Sequence, residues 1–148
     1  MARTILANGN GRRSEGLLTA VAVPPGTLLE RVAGAATFQA QSVAEAAGTY
    51  PEKMIAMEDY LQGKEVGTSY TASTRVQIYH AQSGDEVYMM VEDGEDIAIG
   101  DILTANGTNG TLKERDTGTN PGFAYALEAL DLSASANTAD GLCLVCII

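Results

Sequence analysis

The side chains able to do covalent or acid–base chemistry are few: one histidine, His80, and two cysteines, Cys143 and Cys146, in 148 residues. A serine or cysteine nucleophile needs a neighbouring base, and any such arrangement in this chain would have to use His80. It closes the apolar run Arg75–His80 with no catalytic motif around it, so the residue reads as a strand-end or surface histidine. Cys143-Leu144-Val145-Cys146 has the CxxC spacing, but it lies in an apolar C-terminal stretch. In a strand, residues three apart point to opposite faces, and a redox pair needs a helix N-terminus to lower a thiol pKa. The two cysteines therefore read as small hydrophobes, with no further ligands at zinc spacing.

Oxygen ligands are more plentiful. Seven carboxylates fall between residues 85 and 101: Asp85, Glu86, Glu92, Asp93, Glu95, Asp96 and Asp101. Hard cations take several oxygens from one turn, which makes Asp93-Gly94-Glu95-Asp96 a calcium candidate, although the spacing departs from the EF-hand loop. A solvated acidic face is the competing reading. No GxGxxG or GxxxxGK[ST] phosphate cradle is present. Asn106-Gly107-Thr108 and Asn109-Gly110-Thr111 fit a glycosylation sequon, and their Asn-Gly pairs mark tight turns. The expectation is a protein without catalysis or cofactor.

Charge is divided unevenly. Residues 1–75 carry seven basic and seven acidic side chains, whereas residues 76–148 carry two and twelve, which accounts for the net −10. Phosphate repels such a body, so nucleic acid is not an expected partner. No apolar segment reaches bilayer-spanning length, and MARTILANGNGRR lacks the apolar region of a secretion signal; the chain is expected to be cytosolic in origin.

The elements that must position these groups are short. Aromatic residues are 5% with no Trp, so Ala, Val, Ile, Leu and Met must build the core, while 16 glycines suit many tight turns. Strands are predicted at 17–23, ended by Pro24-Pro25-Gly26, then at 27–32, 54–60, 75–80, 86–91, 97–104, 111–114, 123–130 and 142–148. One helical turn around residues 42–47 competes with a packed loop. The pattern is all-β, a sandwich or barrel-like body with little helix. Its halves, 17–82 and 83–148, echo each other: Pro25-Gly26-Thr27-Leu28-Leu29 resembles Ile99-Gly100-Asp101-Ile102-Leu103, and Ile55-Ala56-Met57-Glu58 resembles Tyr125-Ala126-Leu127-Glu128. The glycine-to-glutamate spacing is 32 in one half and 28 in the other, compatible with two quasi-repeated β-units. Residues 1–16 read as an extended N-terminal arm, with Ile5 and Leu6 before the flexible Asn8-Gly9-Asn10-Gly11.

The order of the C-terminal half (acidic turn, Gly-Asp-Ile-Leu step, Asn-Gly hairpin, Ala-Leu-Glu-Ala, closing apolar strand) resembles the small capsid decoration, or cement, proteins of tailed bacteriophages. VAVPPGTLLE and KMIAMEDYLQGKEVGTSYTASTRVQIYH are similar to the N-terminal half of longer members, and residues 32–54 have no counterpart. The resemblance implies a β-rich body, a homotrimer, that is made in the host cytoplasm and seated on the outer surface of an icosahedral virion. There it would bind the major capsid protein and stabilise its lattice. It also implies that the N-terminal arm grips the capsid or a neighbouring copy through Arg3, Ile5, Leu6, Arg12 and Arg13. The alternatives are a lipoyl- or biotinyl-like carrier, whose modified lysine would have to be Lys53, Lys64 or Lys113, and a small β-barrel enzyme or sugar-binding module.

Overall fold

The computed structural model describes residues 4–19, 21–42, 51–116, 122–134 and 139–148, and over these the protein is all-β. The first strands are β1 (Leu6–Asn8), β2 (Arg12–Leu18), β3 (Leu28–Arg31), β4 (Thr37–Ala40), β5 (Met54–Ala56) and β6 (Arg75–His80). After β1, the other five close into a barrel in the order β2-β4-β3-β5-β6. The later strands are β7 (Glu86–Val91), β8 (Asp96–Ile97), β9 (Ile102–Ala105), β10 (Leu112–Glu114), β11 (Ala124–Ala126), β12 (Leu130–Asp131) and β13 (Gly141–Ile147). Here the order is β7-β10-β9-β11-β13, and pairing of β7 with β13 closes a second ring, while β8 and β12 form a small separate ribbon.

The two rings share one plan. In the first, β2 runs parallel to β4 and antiparallel to β6, and β3 is antiparallel to β4 and β5. In the second, β7 runs parallel to β10 and antiparallel to β13, and β9 is antiparallel to β10 and β11. The echoed glycines hold matching places. Gly26 and Gly100 both have φ of 92°, a left-handed turn that glycine enters without a Cβ clash. Each donates its N–H across the ring at 2.8 Å, Gly26 to Ala56 and Gly100 to Ala126.

The apolar residues sort by strand face. Leu18, Leu29, Met54, Ala56, Val76 and Ile78 point into the first barrel with Val23, Phe38 and Tyr70. Their neighbours Leu28, Ile55, Met57 and Tyr79 join the other core, with Val87, Met89, Leu103, Cys143, Val145 and Ile147 of the second barrel. Strands β3, β5 and β6 are apolar on both faces because each face meets a different core.

Several strands differ from the sequence reading: 97–104 divides into β8 and β9, and β4 forms where no strand was predicted. β2 runs over Arg12–Leu18 rather than 17–23, because the polar run pairs residue by residue with β6, from Arg12 opposite His80 to Leu17 opposite Arg75. Cross-strand pairing there overrides local composition. β5 stops at Ala56, and 123–130 divides into β11 and β12. The possible helical turn lies, beyond Ser42, outside the described residues.

The described part of the segment read as a free arm is built into the body. Leu6 pairs with Val87, Ile5 is 0% exposed in the shared core, and Arg12–Gly16 belong to the first barrel. Asn8-Gly9-Asn10-Gly11 is a site of close approach rather than a hinge. A Cβ on Gly11 would overlap the His80 carbonyl and the Tyr79 ring, and one on Gly9 would overlap Tyr79 and Asp85. Ile5→Ala is therefore expected to cost about 2–5 kcal/mol in urea denaturation, and Gly11→Ala about 1–3 kcal/mol. Wild-type midpoints for both variants would restore the dispensable arm.

Candidate binding surfaces

β6 brings His80 to the mouth of the first barrel, where β2 supplies its partner. Ser14 Oγ and His80 Nε2 lie 2.6 Å apart, a hydrogen bond that either imidazole tautomer can make. Burial lowers the His80 pKa, and the charges of Arg12 and Arg31 lower it further against the opposing Glu52. Burial and the neighbouring arginines thus favour its neutral form. Among the described residues no carboxylate bonds its other nitrogen, so the pair lacks the orienting acid of a serine–histidine triad.

A second polar cluster joins the barrels. Asp85 is buried; its Oδ2 accepts from the Tyr79 hydroxyl at 2.7 Å and from the Gln82 N–H at 2.8 Å, and its Oδ1 from the Asn10 N–H at 3.1 Å. The Tyr79 oxygen in turn accepts the Gly11 N–H at 2.6 Å. Burial pushes the Asp85 carboxyl up, but hydrogen bonds from Tyr79, Gln82, Asn10 and Gly11 outweigh it and hold the pKa below the usual value. Tyr79 is raised, by burial and by that carboxylate. Nearby, Glu58 accepts the Ile5 N–H at 2.9 Å and the Thr4 hydroxyl at 2.6 Å, fixing the chain before β1.

The cysteines are both buried in β13, and burial raises Cys143 to about 11, far from a reactive thiolate. Among the described residues no three His, Cys, Asp or Glu side chains converge as a metal set. In the acidic stretch, Glu95 accepts the Glu114 N–H of β10 and Asp101 the Ala98 N–H of its own turn, so with Asp85 three of the seven carboxylates accept backbone N–H groups. Of the lysines, Lys53 donates to Ser83 and the Ile148 carbonyl, Lys113 meets Asp116, and Lys64 closes the turn begun at Asp59.

The five residues read as contacts fall in different places. Arg12 and Arg13 are exposed on β2, Leu6 is half-buried in β1, and Arg3 lies outside the described residues. Ile5 is corrected: its side chain fills the protein's own core and has no surface to offer a partner.

Sequence reasoning missed two surfaces. A 3-10 turn, Tyr60–Gln62, projects Leu61 at 100% exposure beside Tyr60 at 59%. The turn is stiff. Asp59 caps the Leu61 N–H and bonds the Gln62 amide, two backbone bonds join Asp59 and Lys64, and Gly63 ends the turn at φ 67°. The Asp59-to-Gly63 spacing, a cap followed by a left-handed stop, was the available signal. The other surface is a cleft of about 570 Å³ between the barrels, with Pro24 and Pro25 facing Tyr88, Met90 and Leu142, and Glu128 and Asp140 among its lining.

No family model matches the chain, and no curated protein matches it. Among solved structures it is similar to the N base of head fiber gp8.5 in bacteriophage phi29, with a TM-score of 0.56 and 18% identity. The likeness covers 93% of this chain and 95% of that one. At that identity it establishes the fold, an all-β body matched over nearly the whole length of both chains.

Two steps are expected in the pH dependence of Tm. The folded pKa of His80 lies below its ordinary 6.5, so the unfolded chain takes the proton first as pH falls. Stability from the neutral ring is complete above about 6.5 and is lost as pH drops through the lower folded value. Asp85, whose folded pKa lies below 3.8, contributes above that value and loses its contribution as pH falls through its folded pKa. His80→Gln should remove the upper step and keep the lower one, and Asp85→Asn the reverse. Profiles unchanged by either substitution would contradict the assignment.

Proposed function

We propose that this chain is a structural protein of a tailed-phage virion. It sits on the outer surface of the capsid, binds the major capsid protein and stabilises its lattice, and it does so as a homotrimer. The observation that carries the reading is the fold shared, end to end, with a protein described as the base of a head fiber in a bacteriophage. The order of motifs in the C-terminal half supports the same class. So does a body whose exposed features suit protein contacts: the capped Tyr60–Leu61 turn and the arginines of β2. On a repeated shell, individually modest contacts add through multiplicity.

In this reading Arg3, Arg12 and Arg13 meet the shell or a neighbouring copy, and Leu61 supplies an apolar anchor. The test is co-sedimentation with purified, undecorated capsids of the phage that encodes the chain. Wild-type protein is expected to saturate a fixed number of sites per capsid. Leu61→Asp should weaken binding without lowering Tm, because a fully exposed side chain stabilises nothing in the free protein. Exchanging Arg3, Arg12 and Arg13 together for Ala should also weaken it, most at low salt, since single exposed charges are worth only about 0–1 kcal/mol. Absence of saturable binding to capsids would remove the proposal.

A further inference from the structure

The shared plan of the two barrels exposes one difference between them. Gln77 O accepts the Met57 N–H where Leu144 O accepts the Leu127 N–H, so Gln77 and Leu144 hold equivalent places in β6 and β13. Opposite them stand Glu15 in β2 and Tyr88 in β7, which are therefore equivalent too. In the second barrel the far edge of β7 is covered: β1 lies antiparallel along it, and the Tyr88 N–H donates to the Ile5 carbonyl at 2.7 Å. In the first barrel β4 reaches β2 only at Leu17 and Leu18. From Arg12 to Gly16 the corresponding edge of β2 has no strand on it among the described residues. By the equivalence with Tyr88, the Glu15 N–H points out of that edge, and alternation along the ladder sends the Arg13 N–H the same way.

An open edge is a template for another strand. Charged residues commonly guard such edges, but charge of one sign repels a second copy, whereas opposite signs set across from each other pair. This edge reads Arg13-Ser14-Glu15, with both charged side chains exposed on the same face. A second β2 laid antiparallel across it, centred on Ser14, sets Arg13 opposite Glu15 of the other copy and Glu15 opposite its Arg13. The same register makes residues 13 and 15 the pair that exchanges outward backbone hydrogen bonds. Arg13 has no ion pair among the described residues, while Glu15 accepts the Gln77 amide at 2.7 Å and meets Arg75 in an exposed bridge.

We propose that the open edge of β2 binds the same edge of a second copy, in a two-fold antiparallel pairing over residues 12–16. It occupies the place that β1 fills in the second barrel. The proposal rests on the preceding reading only as a link between neighbouring trimers, since a two-fold pairing cannot itself close a trimer, and its test needs no capsid. Five residues a side make a strip only about 17 Å long, so the pairing is weak in solution and gains from copies held side by side on a surface.

Sedimentation velocity at low ionic strength, from about 10 μM to about 1 mM, is the measurement. Wild-type protein should self-associate with rising concentration. Arg13→Glu and Glu15→Arg, each with wild-type Tm, should each weaken self-association about tenfold or more, because each places like charges opposite each other twice. An equimolar mixture of the two variants should restore association, since every cross-strand pair is then opposite in sign. Three outcomes overturn the proposal: a wild-type monomer throughout the range, association that both variants leave unchanged, or a mixture no better than its components. Association that stops at a trimer and is unaffected by either variant would overturn it and leave the capsid reading standing.

Discussion

The carboxylate of Asp85 is the constraint on which the joining of the two barrels rests. It sits at the end of the turn from β6 to β7, where the chain leaves one barrel for the other. It accepts the Gln82 N–H of its own turn, and through the Asn10 N–H and the Tyr79 hydroxyl, which accepts the Gly11 N–H, it also holds the crossing from β1 to β2, which runs the opposite way between the same two barrels. A buried carboxylate is costly unless its lone pairs are filled, and each of these bonds fills one. Partners and acid therefore require each other. Without the acid, the buried Tyr79 hydroxyl and two N–H groups lose their acceptor. Without glycine at positions 9 and 11, the backbone cannot approach closely enough to supply them.

Around that junction the molecule repeats one five-stranded plan and then varies it. The second barrel has its strand edge covered by β1 and carries nearly all the acidic excess. In the first, the Arg12–Gly16 edge of β2 carries no strand among the described residues, and Arg12 and Arg13 are exposed there. The barrels share apolar packing and differ at the capped turn at Tyr60–Gln62, at the cleft beside Pro24 and Pro25, and at the side of β2 that no described strand covers.

Much of this was legible in the sequence, for identifiable reasons. Arg75–His80 and Glu86–Val91 are short runs rich in Val, Ile, Tyr and Met bounded by turn residues, and both strands fall where those runs put them. The echo between Gly26 and Gly100 was readable because a left-handed turn before a strand leaves little choice of residue. β2 was not readable: Arg12 to Gly16 shows no hydrophobic face, and its strand character comes wholly from pairing with β6. The Asn-Gly repeat at 8–11 was misread for a related reason. Glycine signals conformational freedom and close approach alike, and only the neighbours Tyr79 and Asp85, some 70 residues away in sequence, decide between them. Ile5 was taken for a contact on the same ground, because an apolar residue before flexible glycines looks unanchored until Val87 is found beside β1.

Native-state hydrogen exchange tests most directly whether this junction binds the two barrels into one cooperative unit. The amides to follow are Asn10, Gly11 and Gln82 at the junction, with the ladder amides of β6 and β13 as references for the two barrels. The account predicts that the junction amides exchange with the same opening free energy as both ladders, through a single global event. Junction amides that exchange freely while β6 and β13 open at separate free energies would show two independent barrels, and the central role given to Asp85 would be wrong.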